Sequence, residues 1–124
     1  MLTLVRMNET FSICRLKSGS DVPPWASSSG SFFAVVGTED ELSVLCAQRC
    51  IPEDAEADRD WRGFKIRGPL EPSSIGILSS ILEPLADGGI GILAVSTYET
   101  DYVFVKDADF TKATGLLKRV FEVI

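Results

Sequence analysis

The residues whose types and spacing bear on chemistry are three cysteines, pairs of acids and a run of glycines. There is no histidine, so the commonest general acid–base and the commonest borderline-metal ligand are both absent. Most hydrolase and zinc-enzyme readings fall with them. Cys14, Cys46 and Cys50 make no even disulfide framework, and the Cys46-to-Cys50 spacing is not that of a thioredoxin-like or zinc-ribbon pair. They read as reduced, mostly buried thiols. With no histidine or cluster of Lys and Arg beside them to hold a thiolate, none is a nucleophile candidate. Glu99 with Asp101, and Asp107 with Asp109, have the composition of paired carboxylates or hard-cation ligands. Each pair sits at a predicted turn, where turn-forming and helix-capping roles account for the acids. No catalytic residue, metal or cofactor is therefore expected, and the chain reads as a non-enzyme.

A phosphate-binding glycine loop must follow a strand and open a helix, so that backbone N–H groups and the helix dipole face the phosphate. Gly88-Gly89-Ile90-Gly91 follows a helical pattern and opens a strand. The order is reversed, and the glycines are read as a left-handed helix cap and a tight turn. A zwitterion site is the remaining candidate. The helix start at Ser73 to Gly76 offers free N–H donors for a carboxylate, and Asp101 offers an anion for an ammonium. Gly76 has no side chain to obstruct a ligand there. Within one ferredoxin-like unit these two places need not be neighbours, so the site is expected to need a second unit alongside. The plainer alternative is that Gly76 aids helix packing and Asp101 turns the chain.

The elements that must position these residues are clearest in the C-terminal half. Trp61, Phe64 and Ile66 precede the turn signal Gly68-Pro69 and predict a strand over 61–66. Ile75, Leu78, Ile81 or Leu82, and Leu85 or Ala86 recur at helical spacing up to Gly88-Gly89, with Pro84 expected to end or kink that helix early. Strands over 90–96 and 102–105 flank Tyr98-Glu99-Thr100-Asp101. A helix capped by Asp109 follows, with Phe110, Ala113, Leu116 or Leu117, and Val120 or Phe121 on one face, before a last strand within 120–124. The resulting β-α-β-β-α-β order folds most simply as a four-stranded antiparallel sheet with both helices on one face, an α/β (α+β) ferredoxin-like unit. The N-terminal half reads as a degraded copy: a strand over 11–16, a turn at Asp21 to Ala26 in place of the first helix, and a strand over 32–36. Thr38-Glu39-Asp40-Glu41 matches a capping box and predicts a second helix burying Leu42, Val44 and Leu45. The acidic stretch over 53–60 is the expected boundary, dividing the chain into units 1–60 and 61–124.

A chain of 124 residues with 45% hydrophobic content can bury a real core. Its net charge of −6 argues against a nucleic-acid or anionic-membrane partner, which would need clustered Lys and Arg. Arg6, Asn8 and Glu9 interrupt the opening apolar run, so no signal segment is read, and the stretch 73–96 is broken by Glu83, Pro84, Asp87 and glycines. A cytoplasmic protein is expected.

Ile90 through Lys106, reading IGILAVSTYETDYVFVK, resembles the second-to-third-strand signature of ACT domains. Ser96-Thr97-Tyr98, Asp101 and the stretch from Thr38 to Val44 are similar to the CASTOR-type tandem-ACT group, which includes small bacterial members. The likeness extends over essentially the whole chain and is weaker from Met1 to Gly30. It implies two ACT units, assembled with others side by side, with an amino-acid effector held at a unit interface. Carried over by position, the implied ligand-binding residues are Ser74 and Ile75 in a loop before a helix and Thr97, Tyr98 and Asp101 in the turn. Gly91 and Ile92 would come from a neighbouring strand, here of a partner subunit. In that group an acidic loop residue reads an arginine side chain, and Ser74 stands in its place, so arginine is not the expected ligand. The implied protein is a small regulatory sensor, a homodimer with an unidentified protein partner. The competing reading is a ligand-free ACT module for dimerisation or protein interaction.

Overall fold

A computed structural model of the chain describes residues 2–71 and 75–124. In chain order it contains β1 (Thr3–Lys17), β2 (Phe33–Gly37), β3 (Glu41–Ala47), β4 (Ala57–Ile66), α1 (Ile77–Asp87), β5 (Ile92–Ser96), β6 (Asp101–Lys106), α2 (Phe110–Lys118) and β7 (Glu122–Val123). Short 3-10 turns lie at Pro24–Ser27, Gln48–Cys50 and Asp107–Asp109. The architecture is mixed α+β with a mostly antiparallel sheet and few helices. The chain gathers into two compact units, Met1–Asn8 with Arg62–Ile124, and Glu9–Trp61. The break after residue 61 lies beside the expected cut after residue 60, but the first eight residues group with the C-terminal segment.

In the larger unit, β4 lies between β1 and β6, and β5 flanks β6. β5 and β6 run antiparallel from Ile92↔Val105 to Ser96↔Asp101. Residues two apart share a face of a strand. Phe64 and Ile66 of β4, Val103 and Val105 of β6, and Leu4 of β1 thus present one apolar face. They form a single buried cluster with Ile81 and Leu85 of α1 and Ala113 and Leu117 of α2, so both helices cover that face.

The final strand departs from expectation. β7 pairs in parallel with β1, Thr3↔Glu122 and Leu4↔Val123, so the start of β1 stands between β7 and β4. The four-stranded sheet expected from residues 61–124 alone is therefore completed by the N-terminus. Arg6 and Asn8 are exposed positions of that strand. Their polarity hides a pattern whose buried member is Leu4, wholly inaccessible to solvent.

Helix α1 begins at Ile77, with Gly76 at its N-cap in a left-handed conformation, φ 77°. Pro84 does not end it. The helix continues to Asp87, where Gly89 (φ 75°) reverses the chain. Gly89 N–H donates to the Ala86 carbonyl and Ile90 N–H to the Leu85 carbonyl, each at 2.9 Å. This double closure satisfies terminal carbonyls and brings apolar Ile90 onto Leu85. The expected left-handed cap is present. Asp109 precedes α2 but makes no side-chain capping bond, and its segment Asp107–Asp109 is a 3-10 turn.

In the smaller unit, β3 pairs antiparallel with β1 from Phe11↔Ala47 to Lys17↔Glu41, and with β2 from Phe33↔Cys46 to Gly37↔Leu42. Its core is Cys14, Ala26, Val44, Cys46 and Ile51, with Val35 and Trp25 packed against it. The helix expected from Thr38 is absent. The Thr38 hydroxyl does accept the Asp40 and Glu41 N–H groups, each at 3.1 Å, as a capping residue would. Those bonds close a hairpin turn, because Leu42, Val44 and Cys46 alternate along one face of a strand and are all buried. β4 likewise begins at Ala57, inside the acidic stretch read as a boundary loop.

Two substitutions test this packing. A Cβ at Gly63 would lie 2.8 Å from Met7 Sδ and 2.8 Å from Phe104 Cε1, so Gly63→Ala should destabilise the fold by about 1–3 kcal/mol in urea unfolding. The buried Thr100 hydroxyl donates to the Ile66 carbonyl at 2.6 Å. Thr100→Val, which keeps the shape and deletes this donor, should cost about 1–3 kcal/mol in the same measurement.

Candidate functional site

Because β4 and β6 are neighbours, the chain leaving β4 meets the chain entering β6. Two bonds fasten them. Besides the Thr100 bond to Ile66, Leu70 N–H donates to the Glu99 carbonyl at 2.8 Å. Gly68, ahead of a cis bond to Pro69, allows the approach: a Cβ there would sit 3.2 Å from the Glu99 carbonyl and 3.2 Å from Thr100 Cβ. The β5–β6 turn is held internally as well. Thr97 N–H donates to the Thr100 carbonyl at 2.8 Å, and Thr100 N–H returns to Thr97 Oγ1 at 3.2 Å. At the strand ends, Ser96 Oγ donates to Asp101 Oδ1 at 2.5 Å.

An open pocket of about 370 Å³ lies between this turn and the start of α1. Gly76, Ile77 and Leu78 form one side, the turn from Ser96 to Asp101 the other, and Leu70 and Glu71 complete it. Among the described residues its lining carries the carboxylates of Glu71, Glu99 and Asp101 and no Lys or Arg. The first N–H groups of α1 have no partner within the helix itself. The pocket therefore has anionic side chains at one side and the first turn of α1 at the other. Within the larger unit the start of α1 and the β5–β6 turn are neighbours: among the described residues the lining comes from residues 70–101.

The residues expected at the site divide. Thr97, Tyr98 and Asp101 line the pocket. Ile75 is 95% exposed and stands outside the lining, and Tyr98 is fully exposed at the rim. Gly91 and Ile92, at the start of β5, also lie away from it. Ser74, with Ser73, falls outside the described residues. Leu70, Glu71 and Thr100 were not picked out from sequence. The turn signal Gly68-Pro69 was visible, but its pairing with the β5–β6 turn depends on the β4–β6 contact.

The other candidate groups are occupied structurally. Cys14 and Cys46 are buried and Cys50 partly so, all as free thiols. Burial pushes the Cys46 thiol up to about 11, helped by Cys14 and Cys50. Burial also raises that of Cys14, against the opposing pull of the Arg59 charge. Such thiols stay protonated near neutrality. Asp107 Oδ1 is 3.5 Å from Arg62 Nη1, an ion pair at the entry to α2. Among the described residues no group of three or more His, Cys, Asp or Glu is placed to hold a metal ion. Nor is any helix among them long and apolar enough to cross a membrane.

Comparison with known proteins places this geometry. The ACT domain profile matches residues 56–119, just over half of the chain, and an N-terminal domain profile matches residues 9–54. The cytosolic arginine sensor for mTORC1 subunit 1 of Bos taurus is 34% identical over 47 residues, as is that of Rattus norvegicus. The match covers 38% of this chain and only 14% of either sensor. Among solved structures, an Agobacterium tumefaciens protein is 35% identical with a TM-score of 0.93, over 99% of this chain and 92% of that one. The regulatory subunit of aspartate kinase from Thermus thermophilus shares the fold at 13% identity, with a TM-score of 0.62 over 92% of this chain and 94% of that one. The strand order around β4 and β6, the two helices on one face and the matched profile agree, and the chain belongs to the ACT domain family.

Proposed function

We propose that this protein is a small regulatory sensor that binds a free amino acid in the pocket between the start of α1 and the β5–β6 turn. One observation carries the reading: Gly76 to Leu78 and Thr97 to Asp101 line the same pocket, with carboxylates and no basic side chain among its walls. The ligand's ammonium would meet Asp101, whose second oxygen remains for it beside the Ser96 bond. Its carboxylate would meet the free N–H groups of the first turn of α1. The relatives named as an arginine sensor and as an aspartate kinase regulatory subunit support an amino-acid effector. The walls favour the cationic end of the ligand, and its identity is left to experiment.

On this reading the Glu9–Trp61 unit is a second, degenerate ACT unit of ferredoxin-like plan, and two chains form a homodimer. The partner's strand at Gly91 and Ile92 would close the open side of the pocket. Ligand would then act by binding one arrangement of subunits more tightly than another, and so change contacts with a protein partner. Free thiols at Cys14, Cys46 and Cys50 fit a reducing compartment, and we place the protein in the cytoplasm. A second reading draws on Ile75 and Tyr98, both exposed: they are the kind of apolar surface a ligand-free interaction module presents.

Thermal-shift screening against the standard amino acids separates the two. A ligand at 100 times its Kd should add about 2.7 kcal/mol of stability, and Asp101→Asn, which removes the charge while keeping an acceptor for Ser96, should abolish the increment. Stability indifferent to every amino acid at millimolar concentration would leave the interaction module standing and end the sensor reading.

A further inference from the structure

Away from the pocket at the β5–β6 turn, the larger unit has an open cleft of about 350 Å³ between β1 and α2, lined by Arg6, Phe110, Thr111, Thr114, Gly115 and Lys118. Alternation puts Arg6 on the strand face of Leu4, the face that both helices cover, so it stands beside α2. Thr111, Gly115 and Lys118 follow one another at helical spacing along α2 and are all exposed. A helical side chain leans toward the N-terminus, which carries Lys118 back over Gly115. Among the described residues the lining holds two cations and no acid. No side chain neutralises either. Arg6 Nε donates to the main-chain oxygen of Ile124 at 3.3 Å, which leaves its two terminal nitrogens, and Lys118 makes no hydrogen bond or ion pair among the described residues. The Thr111 hydroxyl is likewise unengaged there, whereas that of Thr114 donates to the Phe110 carbonyl at 2.8 Å. Asp107, the acid at the entry to α2, is drawn to Arg62 at 3.5 Å.

Gly115 is an independent sign of a ligand. Glycine inside a helix is less stable than alanine, yet a Cβ at Gly115 would meet nothing within 4 Å, and its φ is not positive. Neither packing nor backbone conformation requires glycine here, in contrast to Gly63 with Met7 and Phe104 against it. The missing side chain instead opens the floor of the cleft between Arg6 and Lys118. We infer that this cleft is a second ligand site, for a small phosphate dianion, either inorganic phosphate or a phosphomonoester. Two unpaired cations match its two charges, and the Thr111 hydroxyl adds a donor for a further oxygen. Cations arriving from two separate elements suit a tetrahedral anion that accepts from several directions. A planar carboxylate is served best by one bidentate arginine. In a chain of net charge −6, this is a local concentration of the opposite sign.

The site needs no amino acid and is tested without one. Asp101→Asn, which disables the other pocket, should leave phosphate binding unchanged, so the two readings fail separately. Inorganic phosphate, titrated at constant ionic strength against sodium chloride, should shift the amide resonances of Thr111, Gly115 and Lys118 saturably, with a millimolar or lower Kd. Arg6→Gln and Lys118→Gln should each weaken binding at least about tenfold. Gly115→Leu is the sharper variant: it places a good helix former in the cleft, and should raise Tm by about 2–3 °C while weakening phosphate binding at least about tenfold. A glycine with no part in binding would show the gain in Tm alone. Should Arg6→Gln disturb the fold through its Ile124 bond, Lys118→Gln decides, since its side chain is on the exposed helix face. Shifts that chloride reproduces, phosphate binding as tight in Lys118→Gln and Gly115→Leu as in the parent, or succinate binding more tightly than phosphate would overturn the assignment.

Discussion

The pocket exists because β4 and β6 are neighbours and the Thr100 hydroxyl ties the start of one to the end of the other. That bond, 2.6 Å long and buried, fixes where the chain leaves β4 relative to the β5–β6 turn. Leu70 then pairs with Glu99, the loop is carried past the turn, and α1 starts within reach of Thr97 and Asp101. A lone polar bond contributes modestly to stability, but leaving a buried carbonyl without its donor costs more. The position of the pocket walls is thus enforced by the need to satisfy one backbone group.

Around this contact the larger unit obeys a simple rule of alternation. Leu4, Phe64, Ile66, Val103 and Val105 occupy one face and meet apolar stripes from both helices. Gly63 permits the close approach of Met7 and Phe104 at the same strand. The N-terminal strand belongs to this arrangement through Leu4; Arg6 and Asn8, two and four residues further along the same face, are exposed. What distinguishes the sheet from the simplest ferredoxin-like plan is that β1 takes the place beside β4, leaving β7 to pair with β1.

The smaller unit illustrates how identical local chemistry serves different elements. Thr38 accepts two backbone N–H groups whether it opens a helix or turns a hairpin. The decision falls to the residues that follow. Leu42, Val44 and Cys46 spaced by two, with Leu45 and Ala47 buried on the other face, fit a strand covered on both sides. A helix would have buried only one stripe of them.

The sequence by itself determined the α+β class, the strand–helix–strand–strand–helix order after residue 60, the glycine closure of α1 and the ACT signature through Asp101. These are local: they depend on periodicity, on glycine's access to positive φ and on turn chemistry within a few residues. It also pointed to Thr97, Tyr98 and Asp101, which share the pocket. Only the tertiary structure decided that Glu71, Leu70 and Thr100 join them, that Ile75 stands apart, and that β1 completes the sheet. Pairing between strands far apart in the chain leaves little trace in local pattern, because a strand's own alternation records which face is buried but not which neighbour lies beside it.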